Sequence, residues 1–159
     1  MLKLYVERMI RERGTIMGLV KAENVVDGQY SEQVKVCGSV EREADCLPAG
    51  KYRVCIGKCI YHHRKMPFLV PVDSSQCELC CKARHSHEFG DISAFASLPC
   101  AMIQPGNGPF TMSRGSILVG EVHAPGYVLK SHPLFTTLYE RIKKAVWRGN
   151  EVTLVIKEV

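Results

Sequence analysis

The stretch Leu2-Lys3-Leu4-Tyr5-Val6-Glu7 decides the fold class. Leu2, Leu4 and Val6 alternate with Lys3, Tyr5 and Glu7, the two-residue period of a strand with one side in a core and the other in water. Working outward, Val34 and Val36 alternate with Gln33 and Lys35 in the same way. Tyr52, Val54 and Ile56 share one face of a third strand, which starts behind the turn Pro48-Ala49-Gly50. Asp27-Gly28, between Val25-Val26 and Gln29-Tyr30, marks a tight hairpin. No helical period separates these segments, which predicts antiparallel pairing rather than parallel strands joined by crossover helices.

Further along, residues 73–98 lose all periodicity and collect Cys77, Cys80, Cys81, His85 and His87, so they read as an irregular insertion. Two short apolar runs follow, Ala101-Met102-Ile103 and Ile117-Leu118-Val119, with the Gly/Pro/Asn-rich Gln104 to Gly108 between them. From His132 to Arg148 the apolar residues Phe135, Leu138, Ile142, Ala145 and Val146 form one helical stripe, with Ser131 as the expected N-cap, Pro133 in the first turn and Gly149 at the stop. Val152, Leu154 and Ile156 return to strand alternation. The expected architecture is one mainly β domain (β+α) over 1–159. It is an antiparallel sheet or partly open barrel with one C-terminal amphipathic helix and a Cys/His-rich insertion loop.

Composition narrows the function classes. In 159 residues, 46% are hydrophobic and 23% charged, which excludes a wholly disordered chain. The formal net charge of +5 comes from scattered lysines and arginines rather than a block, and aromatics are only 8%, so no nucleic-acid partner is expected. No apolar run reaches the roughly 18 residues of a membrane span. Charges at Lys3, Glu7, Arg8, Arg11, Glu12 and Arg13 interrupt any secretory core, so the chain is expected in the cytoplasm as synthesised. Its eight cysteines are then expected to stay reduced, which favours metal binding or plain burial over disulfides.

Two constellations carry chemistry. The first is Ile103-Gln104-Pro105-Gly106-Asn107 followed by Ser113-Arg114-Gly115-Ser116-Ile117, where a glycine precedes a hydroxyl at the start of an apolar strand. Such a glycine lets substrate approach the backbone, and neighbouring amides can face a developing oxyanion. A simple turn explains the same pattern. Asn107, Ser113 and Arg114 are the ligand-binding candidates here, with Arg114 suited to a carboxylate. The second is Cys77-x2-Cys80 with His85 and His87, a spacing suited to one Zn²⁺, against the alternative of buried thiols and surface histidines. Cys55 and Cys59, with His62 and His63 just beyond, offer half of a further site.

The order of TIMGLVKA (15–22), LPAGKYRV (47–54), FLVPV (68–72), MIQPGN (102–107), SRGSILVGE (113–121) and VTLVI (152–156) resembles a small uncharacterised family of bacteria and their phages. The later motifs of that family are in turn similar to the His and Ser-x-Gly-Cys signature of L,D-transpeptidases, which act on peptidoglycan peptides through a cysteine thioester. The resemblance implies a histidine at position 104 and a cysteine at 116, with histidine holding the thiolate and backbone amides stabilising the oxyanion. This chain carries Gln104 and Ser116 instead. A serine needs a positioned base, and a glutamine cannot be one.

Three readings stand open: a naturally non-catalytic member, a Cys-to-Ser replacement introduced into an active one, or a base supplied by another histidine such as His123. The preferred expectation is a non-catalytic binding or structural module for peptide or peptidoglycan fragments. The alternative is an acyl transferase or amidase with Ser116 as nucleophile and the amides of Gly115 and Ser116 as oxyanion donors. The oligomeric state is not readable from the sequence.

Overall fold

A computed structural model describes residues 1–26, 28–59, 64–72, 101–108, 115–124 and 126–159. Its strands are β1 (Leu2–Glu12), β2 (Thr15–Val26), β3 (Gln29–Tyr30), β4 (Val34–Arg42), β5 (Gly50–Cys59), β6 (Arg64–Pro71), β7 (Ile103–Gln104), β8 (Ile117–Ala124), β9 (Tyr127–Leu129) and β10 (Val152–Glu158). One α-helix, α1, spans Ser131–Trp147. The sheet order is β6-β5-β10-β1-β2-β4-β8-β7, with β3 added to β2 and β9 to β8. The two ends of that order meet where Phe68 bridges Met102 and the Leu69 N–H donates to the Ala101 C=O at 3.0 Å. The sheet therefore curls into the expected partly open barrel, with a β+α composition.

Leu2, Leu4 and Val6 are all buried, as their alternation predicts, and join Val20, Val54, Ile117, Val119, Leu154 and Ile156 in the main core. Phe135, Leu138, Tyr139 and Ile142 of α1 pack into the same core. Each fully buried large apolar side chain of this kind contributes on the order of 1.5–3 kcal/mol. A second small cluster, Met17, Val40, Leu118 and Val128, lies on the other side of the sheet beneath β9.

Three local expectations need correction. The pairing is not wholly antiparallel: β1 runs parallel to β10 and β7 parallel to β8. In β4, Val34 is exposed, and burial is continuous from Cys37 to Glu41. A register shift at Val20/Lys21 changes the phase, and both faces of this strand are covered. Ser131 is the first helical residue rather than the cap, a position held by Lys130 in left-handed geometry (φ 53°, ψ 30°). Trp147, the last residue of α1, is 84% exposed.

The helix stop behaves as its glycine predicts. Gly149, with φ at 76°, donates to the Val146 C=O at 3.0 Å while the Asn150 N–H reaches the Ala145 C=O at 2.9 Å, the two bonds of a Schellman ending.

One charged residue breaks the apolar phase of β1. Arg8 continues the buried series Leu2, Leu4, Val6, and its guanidinium donates to both oxygens of buried Glu41, at 2.8 and 3.0 Å. It also donates to the Leu47 C=O at 2.5 Å and to Glu158 Oε1 at 3.0 Å. Burial works against the Arg8 charge, but the bonds from Glu41 and Glu158 outweigh it, and its pKa is raised. No helix among the described residues is long and apolar enough to cross a membrane.

Candidate functional site

Ser116, Gln104 and Gly115 lie where β7 joins β8, at one end of the curled, open sheet. β7 and β8 pair through Ile103↔Ile117 and Gln104↔Leu118, and the Ile117 N–H donates to the Met102 C=O at 2.9 Å. Paired residues share a face, so Ile103 and Ile117 lie on one side of the sheet, and Gln104, Leu118 and Ser116 on the other. Gln104 and Ser116 are therefore diagonal neighbours, with α-carbons on the order of 8 Å apart given strand spacing and rise. The two positions at which the sequence resemblance implies a base and a nucleophile are thus side by side.

Ser116 is only 2% exposed, and its Oγ accepts a hydrogen bond from the Met102 N–H at 3.1 Å. The hydroxyl acts as a rung that prolongs the β7–β8 ladder one residue past its backbone bonds, at the point where Met102 also bridges to Phe68. Gln104 is equally buried. Gly115 has φ at 74°, and a Cβ there would come within 3.3 Å of both Ala101 and Leu47, so any other residue would be strained and crowded. Leu47 is the residue whose carbonyl takes the Arg8 guanidinium. The buried Arg8–Glu41 pair thus buttresses the segment under Gly115-Ser116.

The loop after β7 is pinned from the helix. Ser131 Oγ accepts from the Gly106 N–H at 3.0 Å and donates to the Val119 C=O at 2.6 Å, tying the loop, β8 and the first turn of α1 together. The Asn107 C=O accepts from the Val128 N–H at 3.4 Å, leaving the residue exposed at the rim. The half-exposed Tyr127 lies beside Gly108, where an added Cβ would sit 3.7 Å from the ring.

His123 belongs to β8, seven residues from Ser116. Its side chain lies outside the described residues. Ser113 and Arg114 lie outside the described residues, as do Cys77, Cys80, His85 and His87 of the proposed zinc site and the whole 73–98 insertion. Among the described residues no group of three or more His, Cys, Asp or Glu side chains could hold a metal ion.

The thiols depart from the expectation of uniform reduction. Cys55 is disulfide-bonded, whereas Cys37 and Cys46 are free. Burial pushes the Cys37 thiol up to about 11, which leaves it neutral and unreactive at physiological pH.

The residues missed by the sequence reading are Ser131, Leu47 and Glu41. From the sequence alone Ser131 reads as the cap. The signal for an acidic partner such as Glu41 was present, because Arg8 falls on the buried phase of β1 and a buried arginine requires a carboxylate. No family model, no curated protein and no solved structure matches this chain.

Proposed function

We propose that this chain is a non-catalytic binding module of the phage- or prophage-associated family it resembles, degenerate relative to L,D-transpeptidase-like cysteine enzymes. It holds peptide or peptidoglycan fragments in a groove near Gln104 to Asn107 and Ser113 to Ser116, entered from the exposed Asn107. The single observation that supports this reading is the position of the Ser116 hydroxyl, buried and engaged by the Met102 N–H at 3.1 Å. A nucleophilic serine needs a base within hydrogen-bond reach and a path for substrate. Burial closes the direct path to the hydroxyl, and the Met102 N–H already engages one of its lone pairs. Serine also suits the rung better than cysteine, because a thiol is the weaker acceptor.

The test incubates wild type, Ser116→Ala and the double variant Gln104→His/Ser116→Cys with defined muropeptides, and follows both binding by calorimetry and conversion by mass spectrometry. Binding without conversion in wild type, kept in Ser116→Ala, is the expected result. Conversion by the double variant alone marks a decayed enzyme. Conversion by wild type that disappears in Ser116→Ala replaces this reading with a serine acyl transferase or amidase.

A further inference from the structure

α1 commits one side to the core and leaves the other in water. Phe135, Leu138, Tyr139 and Ile142 are buried, whereas Glu140, Lys144 and Trp147 are exposed. Trp147 is the one tryptophan of the chain, and Val146 beside it is 38% exposed. Indole is the largest apolar side chain and is mostly covered in folded proteins, so one held in water at the end of a helix calls for a partner.

Cations surround that indole. Lys143 Nζ stands 5.9 Å from the centre of the Trp147 ring, and the Arg64 guanidinium of β6 lies 5.1 Å from that of Tyr139. Tyr139, Lys143 and Trp147 are spaced four apart and so form one row along the helix. Arg141, Lys144 and Arg148 add charge on the far side of the row. Among the described residues, none of Arg64, Arg141, Lys143, Lys144 and Arg148 forms an ion pair. Glu140 is the only acid of α1, and Glu151, beyond its end, faces Arg53 at 3.8 Å. The positive charge of this face is thus left over after the chain's own pairing.

We infer that this face docks on the anionic surface of a lipid bilayer, with Trp147 seated at headgroup depth and Lys143, Lys144 and Arg148 on the phosphates around it. Lys144 in the last turn and Arg148 at the cap also complement the helix carbonyls, but that role asks nothing of an exposed indole. Tryptophan favours the membrane interface because its ring is apolar and its N–H is polar, and lysines and arginines clustered beside it are drawn to anionic headgroups. The apolar stripe of α1 is committed to the core, so the contact is peripheral and made by the outer side of the helix. A nucleic-acid strand asks instead for a groove lined by several open aromatic faces, whereas this face is a convex helix surface with one exposed indole, beside which an ammonium already sits. The face belongs to α1 and β6 rather than to the β7–β8 junction, so it goes beyond the function proposed above and does not depend on it.

The test mixes the full chain with vesicles of phosphatidylcholine alone or of phosphatidylcholine with phosphatidylglycerol, and follows both co-sedimentation and the emission of the single tryptophan. Anionic vesicles are expected to carry the protein down and move its emission to the blue, an effect that weakens as salt is added, while neutral vesicles do neither. Lys143→Gln/Lys144→Gln should weaken sedimentation by about fivefold for each charge removed, and Trp147→Ala by roughly tenfold or more, with thermal melting confirming that both variants fold. No binding at millimolar anionic lipid, equal binding to neutral vesicles, or full binding by Trp147→Ala overturns the proposal. A blue shift with a short RNA or DNA strand but not with anionic vesicles assigns the face to nucleic acid and overturns it. So does a doubled mass without lipid that is lost in Trp147→Ala, which gives the face to a second copy.

Discussion

Arg8 and Glu41 show how a single pair of residues organises this interior. Each is almost fully buried, and each makes the other tolerable, since an uncompensated charge in a protein core is far more costly than a paired one. Glu41→Gln, which strips the charge and leaves Arg8 in place, is expected to lower unfolding free energy by about 3–5 kcal/mol. The double replacement Arg8→Met/Glu41→Leu should recover most of that loss in urea titrations. If the double variant is as unstable as the single one, the pair contributes more than mutual compensation.

Cys37 offers a pH signature at the same scale. Its thiol titrates near 11 in the fold because burial disfavours the thiolate, so between the unfolded value of about 8.5 and 11 the folded state holds a proton that the unfolded state has released. Stability from this group is intact below that window and falls as pH rises through it, by on the order of 1.4 kcal/mol for each pH unit. The expectation is an alkaline decline in Tm that is reduced in Cys37→Ala relative to its own neutral value.

Among the elements, the junction of β7, β8 and α1 is the most dependent on one side chain. Ser131→Ala removes the acceptor for the Gly106 N–H and the donor for the buried Val119 C=O, and it should cost about 1–3 kcal/mol by denaturant titration. Amide exchange at Gly106 should quicken beyond what the global loss explains. An unchanged rate there would show that the loop is held by other contacts.

The elements also show what the sequence could and could not tell. β1, β5, β10 and α1 were legible because each has one wet face and one dry face, which writes a period into the residues. In β4 the alternation at Val34 misleads, because a register shift and burial on both faces erase that period. The diagonal approach of Gln104 to Ser116 is implied only by resemblance, since the register of β7 on β8 leaves no local trace in the sequence. The structural use of the Ser116 hydroxyl was illegible for the same reason: its partner is the backbone of Met102, fourteen residues away.

For the whole molecule, the parallel union of β1 and β10 has a mechanical meaning. Their register runs over seven matched pairs, Leu2↔Val152 through Arg8↔Glu158. Tension applied to the start of β1 and the end of β10 pulls these neighbours along their shared axis in opposite directions, so every rung bears load together and none can peel first. Stretching the molecule from those two points by force spectroscopy should therefore meet a high rupture peak. Hooking it instead at Gly14 and Arg42, at one end of β2 and β4, should open it rung by rung at much lower force.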